Sequence, residues 1–316
     1  MRLADHVRIL GRGPGRSRSL TQDEAAEAMG HMLRPDTAPE AVGALLMLLR
    51  MKGETAEEIA GFAAKARAPF DDLPRVDLDW PSYAAGRTRG TPWFLMSAKL
   101  VAQSGTRVLL HGWNGADDKV RRGLEDLEIG SASNADEAAS LLDRDGIAYL
   151  PLETLHPSLF RLLGLRSVLG LRSCINTVCR MLNPADAGAS VQGVFHPSYR
   201  LLQADAAQRL GWNSLSVIKG GGGEFEVNPS KDIAVFGLRR GQMWDRTQEA
   251  RWAAPRRLAR ADPMRLSGFK TLDDLPGFER SIVVGTAALA METAGSGIGS
   301  DHSENSFARR HETHAA

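Results

Sequence analysis

The chain has 316 residues, 43% hydrophobic and 24% charged, which excludes a fibre, a collagen-like repeat and a wholly disordered chain. Lys and Arg number 39 against 38 Asp and Glu, a net charge of +1, so the chain is no uniform polycation. No apolar run approaches the roughly 18–20 residues that span a bilayer, and the charged stretch 1–10 does not read as a signal peptide. Two cysteines, Cys174 and Cys179, exclude a disulfide framework or a four-cysteine zinc site. They read as reduced, buried thiols of a cytoplasmic protein.

The first seventy residues read as helices alone. Thr21 with Glu24, Thr37 with Glu40 and Thr55 with Glu58 are spaced as capping boxes, each opening a run of helical pattern at 25–33, 41–51 and 59–66. The run from Val42 to Leu49 is apolar nearly all round, so it needs cover on several sides; a partner subunit packed on Leu46 and Leu49 is one source. After Pro74, short aliphatic runs at 107–110, 147–150, 191–195, 215–218 and 233–238 alternate with helical stretches at 94–103, 121–127, 135–143, 157–169 and 199–210. That alternation predicts a mainly parallel sheet with helices on its faces, and ligands beyond the carboxyl ends of its strands. The loops 82–91, 111–119 and 219–228 fall there, and the polar stretch 296–316 is expected to be a disordered tail.

The segment 79–94 carries the most chemistry. It sets Arg87, Thr88 and Arg89 among small residues, brackets them with Trp80 and Trp93, and is followed downstream by Trp113. Guanidinium groups with hydroxyls and open backbone N–H groups suit phosphate, and exposed indoles suit stacked bases. The same residues also make a structural turn with core aromatics. Between Trp80 and Arg122, seven basic residues face two acids; 160–180 holds four arginines and no acid; 231–260 holds eight basic residues and three acids. If these gather in one cleft, they attract polyanions. The run Lys219-Gly220-Gly221-Gly222-Gly223-Glu224-Phe225-Glu226 lacks the Gly-Lys-Ser/Thr ending of a Walker loop, although its glycines permit close backbone approach and Glu224 and Glu226 offer oxygen ligands for Mg²⁺.

From Arg50 to Gly61 the chain resembles the helical N-terminal signature of the anthranilate phosphoribosyltransferase family. Leu155-His156-Pro157, then 165–173, then Asn176 and Asn183-Pro184 follow that family's motifs in order and spacing, and the resemblance covers roughly 20–297. It implies a helical, dimerising domain at 1–74 and an α/β domain at 75–295, with helices near 157–185 joining the helical part. It also implies a homodimer, with His156, Arg166 and Asn176 on the acceptor side. The family's pyrophosphate loop, however, appears here as Ser82-Tyr83-Ala84-Ala85-Gly86 without its aspartate. Its Lys-His-Gly-Asn-Arg-Ser element becomes 110–115, keeping His111 and Gly112 but losing the Lys, the Arg and the Ser, and its metal-binding Asp-Glu pair aligns with Phe225-Glu226.

These departures resemble a divergent, YbiB-like branch associated with nucleic-acid binding. The expectation is therefore a glycosyltransferase-family protein with a degraded phosphoribosyl-pyrophosphate site. Its basic cleft would hold nucleic acid through Arg87, Thr88, Arg89, His111, Gly112, Asn114, Lys119, Arg121 and Arg122, with Trp80, Trp93 and Trp113 stacking. No cofactor is expected, unless the chain is an enzyme holding Mg²⁺ on Glu224 and Glu226. The alternatives are transfer to an acceptor other than anthranilate, with a small phosphorylated ligand, and last, transfer to anthranilate itself.

Overall fold

The computed structural model describes residues 1–67, 72–84, 90–113, 118–258 and 264–295. Helices α1 (Leu3–Gly11), α2 (Gln22–Leu33), α3 (Pro39–Lys52) and α4 (Ala56–Arg67) form the N-terminal domain. Two of the three capping boxes form. Thr21 Oγ1 accepts from Glu24 N at 3.2 Å, and Thr55 Oγ1 accepts from Glu58 N at 3.3 Å. Thr37 does not cap: its hydroxyl donates to the His31 carbonyl at 2.6 Å, and α3 starts two residues later with Pro39 in its first turn, where a missing N–H leaves no bond unmade. Glu58 does more than cap, since its buried carboxylate also accepts from Leu20 N and pairs with Lys52 at 2.8 Å.

Leu45, Leu46 and Leu49 are fully buried within the single chain, sharing a core with Leu3 and Leu10 of α1 and Met29 and Met32 of α2. The cover for α3 is therefore intramolecular at these positions, and an Asp at Leu46 or Leu49 would break a core rather than report on a dimer.

A larger α/β domain follows. Strands β1 (Leu78–Ser82), β2 (Val108–Gly112), β3 (Ile147–Pro151), β4 (Ala189–Val194) and β5 (Ser214–Lys219) run parallel, and β6 (Ile233–Arg239) and β7 (Gln242–Gln248) add antiparallel. The order is β3-β2-β1-β4-β5-β6-β7. The connecting helices are α5 (Trp93–Gln103), α6 (Lys119–Asp126), α7 (Ala135–Asp145), α8 (Leu152–Leu155), α9 (Pro157–Gly164), α10 (Arg166–Leu169), α11 (Ile175–Arg180), α12 (Tyr199–Arg209) and α13 (Gly277–Ala294). No helix among the described residues is long and apolar enough to cross a membrane.

Strand β1 arises inside the segment that reads as a ligand loop. Pro81 is tolerated because β4 pairs only with Leu78 and Asp79, leaving Pro81 beyond the point where that neighbour diverges. One core joins the helical domain to α9, α11 and one face of β4 and β5, and it buries both free cysteines. A second core lies across the sheet between α5, α13 and the strands.

An ion pair on the helical domain sets an acid response. Hydrogen bonds from Arg18 (2.6 Å), with Thr21 N and charge attraction helping, hold the Glu24 carboxyl down to about 2. A depressed folded value means that the stabilisation is complete above the ordinary carboxylate range and fades as pH falls towards 2. Exposure of Arg18 screens the pair, so Glu24→Gln should remove about 1 kcal/mol or less at neutral pH. The variant and parent should converge by pH 2 in urea melts; a constant difference down to pH 2 would show that the charge is not involved.

Candidate functional site at the switch point of the sheet

Strand order reverses at β1, whose neighbours β2 and β4 lead the chain in opposite directions. A crevice opens at the carboxyl ends of strands at such a point. Ser82, Tyr83 and Ala84 reach it from β1, Phe195 from β4, and the glycine run from β5. Gly221–Gly223 form a 3-10 turn, with Gly222 and Gly223 at φ +70° and +91°. Phe195 is exposed at the rim.

Two carboxylates from the loop after β5 point back into the sheet. Glu224 Oε1 accepts from Ser82 Oγ at 3.0 Å and Ala84 N at 3.2 Å. Glu226 Oε1 accepts from Phe94 N at 3.1 Å, in the first turn of α5. Between them Phe225 is fully buried, edge-on to Trp80 with ring centroids 5.5 Å apart. Backbone contact fixes this seating. A Cβ at Gly220 would overlap the Glu224 carbonyl oxygen, and one at Gly193 would overlap the Glu224 backbone.

Below the crevice runs a closed ring of polar contacts. The Tyr83 hydroxyl meets His111 Nδ1 at 2.8 Å, and His111 Nε2 reaches within 3.0 Å of Asp79 Oδ1, off the ideal hydrogen-bond direction. Ser190 Oγ donates to Asp79 Oδ2 at 2.6 Å; Gln192 Nε2 donates to Ser190 Oγ and to the Arg180 carbonyl; Arg180 Nη1 donates to the Asn176 carbonyl; and Asn176 Nδ2 donates to the Tyr83 carbonyl at 3.0 Å. Burial pushes the Tyr83 phenol well above its usual value, so it stays protonated. Burial likewise draws the Arg180 guanidinium down, while nearby Glu224 opposes the shift. The ring ties β1, β2, β4 and α11 together. Ser190 and Gln192 carry no signal in the sequence, because isolated polar residues inside a strand form no motif.

Several expected site residues have other work. Trp80 and Trp93 are buried and cannot stack on a base; Trp80 packs on Phe94 and Phe225, and Trp93 on Phe269. Trp113 is half-buried, edge-on to Phe160 at 5.8 Å. His111 belongs to the buried ring rather than to a phosphate site, and Gly112 is backbone-packed, since a Cβ there would overlap the Ser82 carbonyl. His156 caps α9, its Nδ1 accepting from Leu159 N at 3.4 Å, and its side chain is buried. Arg121 pairs with Glu153 and Arg122 with Asp118, both on the surface; Lys119 is half-buried beside them. Arg166 is exposed on α10. Arg87, Thr88, Arg89 and Asn114 lie outside the described residues.

Glu224 and Glu226 would have to turn from their present partners to hold Mg²⁺: each gives an oxygen to backbone or hydroxyl donors, and the residue between them is a core phenylalanine.

Residues 5–68 match the helical bundle domain of the glycosyl transferase family, and 94–252 match its a/b domain. Anthranilate phosphoribosyltransferase 2 of Streptomyces coelicolor is 30% identical over 295 residues, 88% of this chain and 87% of that protein. The Roseiflexus enzyme is 33% identical over 234 residues, 72% of this chain and 67% of its own length. Among solved structures, anthranilate phosphoribosyltransferase from Thermus thermophilus superposes with a TM-score of 0.77 at 23% identity, covering 94% of this chain and 90% of that one. The Saccharomyces cerevisiae enzyme in complex with PRPP and Mg gives 0.72 at 17%, covering 94% and 89%. The chain therefore belongs to the glycosyl transferase family that includes the anthranilate phosphoribosyltransferases.

Proposed function

We propose that the chain transfers a phosphoribosyl group to an acidic acceptor other than anthranilate, with the donor's phosphates at the carboxyl ends of β1, β4 and β5. The observation that carries this reading is the crevice itself, with its glycine turn at the switch point of the sheet, in a chain 30% identical to an anthranilate phosphoribosyltransferase over 88% of its length. The departure from anthranilate rests on the missing loop aspartate and on Phe225 buried where the family has a metal ligand. Such a reaction needs no covalent nucleophile. Positioning and fixed positive charge suffice to stabilise the developing ribosyl cation and the departing diphosphate, with Arg166 drawing in the acceptor's carboxylate.

The test follows diphosphate release from phosphoribosyl pyrophosphate across a panel of aromatic and heteroaromatic acids. Release should depend on the acceptor, anthranilate should give no product, and Arg166→Ala should raise the acceptor KM about tenfold, the effect of losing roughly 1.4 kcal/mol from a charge-assisted hydrogen bond. Failure of every acid on the panel to bring about release would refute the transferase reading; turnover of anthranilate would refute its acceptor half.

A second reading, binding of nucleic acid, is favoured by one observation. Lys119, Arg122 and Arg265 line a cleft beside Pro92 together with Asp126, which pairs with Arg265, and Arg121 is exposed next to them. In this reading the tryptophans take no part and affinity comes from backbone phosphates. Arg121→Ala with Arg122→Ala should weaken single strands and duplex alike, and flatten the log–log salt slope by about 0.7–0.9 for each phosphate no longer neutralised. Unchanged affinity and slope would end this reading.

A further inference from the structure

The donors that Glu224 and Glu226 occupy are those an anionic ligand would seek. Backbone N–H groups and hydroxyls at the end of a parallel strand, and the open amides of a helix start, bind phosphate and carboxylate oxygens by the same hydrogen bonds. Here both places are filled from within. Glu224 takes the Ala84 amide and the Ser82 hydroxyl, and Glu226 takes the Phe94 amide of the eleven-residue α5. Both carboxylates are buried, and the ring of Phe225 anchors the segment between them in the core.

We propose that Glu224 is a built-in competitor for the ligand's phosphate: its carboxylate holds the anion seat made by the Ala84 amide and the Ser82 hydroxyl, and a phosphate enters that seat only when the carboxylate leaves. This competition rests on the crevice being a phosphate site, as proposed above, and adds how entry is controlled. Two features separate Glu224 from Glu226. Glu224 reaches the crevice with its backbone held by Gly193 and Gly220, so its carboxylate leaves the seat by rotation of its own side chain while the loop stays in place. Glu226 instead follows the anchored Phe225, so it stays as a fixed cap on α5. The competition is electrostatic as well as steric, because a phosphate arriving beside a retained carboxylate meets like charge at short range in a poorly solvated place.

The experiment is calorimetric titration of the full chain with inorganic pyrophosphate, for the parent, Glu224→Gln and Glu224→Ala. Glutamine keeps the acceptor oxygen and the side-chain length but removes the charge, so it stands in if the alanine variant fails to fold by circular dichroism. Pyrophosphate should bind Glu224→Gln at least tenfold more tightly than the parent, and Glu226→Gln should show no such gain. Binding of equal strength to parent and Glu224→Gln overturns the competitor while leaving the phosphate site intact. Binding to none of the folded proteins overturns both the competitor and the phosphate site beneath it.

Discussion

Gly220→Ala should cost about 3 kcal/mol or more in chemical denaturation, because the added methyl has nowhere to go. Its Cβ would overlap the Glu224 carbonyl oxygen and lie 2.7 Å from the carbon behind it, both backbone atoms that no rotamer change can move. Gly193, pressing on the same point from the end of β4, should respond in the same direction. The comparison is Gly211→Ala at the end of α12. There a Cβ meets nothing within 4 Å, and the penalty is only that of an L side chain at φ +73°, about 1–2 kcal/mol. Equal losses at Gly220 and Gly211 would mean that the loop after β5 is not seated as described. If the loop lifts off instead of the protein unfolding, the denaturant slope should change along with the midpoint.

Asp79→Ala should lower stability by about 1–3 kcal/mol, the range for leaving a buried donor without its acceptor. The loss leaves the Ser190 hydroxyl and the His111 ring without their acceptor in a place water does not reach. Tyr83→Phe removes only one hydroxyl from the far side of the same histidine and should cost about 1–3 kcal/mol. Because both residues belong to one ring, the double variant should lose less than the sum of the singles. Strict additivity would show the ring to be a set of independent bonds. A loss at Asp79 below about 1 kcal/mol would show that the pocket rehydrates.

Much of the architecture is legible in the residues. Capping at Thr21 and Thr55 is a local contest between side chain and backbone, so spacing alone locates α2 and α4. Strands β2 and β3 hold aliphatic runs because both of their faces are covered, and the shorter aliphatic stretches of β5 and β6 locate those strands as well. Where the sequence misleads, two structures share one composition. Asp79, Pro81 and Ser82 look like loop chemistry, yet Asp79 and Ser82 bury their polar groups against Ser190 and Glu224. Tryptophan beside arginine looks like a stacking site, yet Trp80 and Trp93 face the core. The strand β7 shows no alternation, because it lies at the sheet edge; Trp244 there is sandwiched by Arg239 at 4.0 Å and Arg246 at 5.4 Å rather than buried. The candidate site follows the same pattern. Arg166 is singled out by its motif and lies exposed on α10, whereas the reach of Glu224 to the end of β1 spans 142 residues of sequence, and no local pattern encodes it.

The two cysteines carry a kinetic consequence. Cys174 and Cys179 are buried where the helical domain meets α11, and burial pushes both thiols above their ordinary range. A thiol that stays protonated and enclosed does not attack a disulfide reagent; it must first be carried to solvent. Modification by such a reagent therefore clocks the opening of that junction. At high reagent concentration the labelling rate should level off at the opening rate itself, and any ligand that closes the crevice should slow it. A rate that keeps rising linearly, equal to that of a free thiol, would mean that the junction stands open. The protein thus contains a native stopwatch for the contact between its two domains, one that needs no engineered probe.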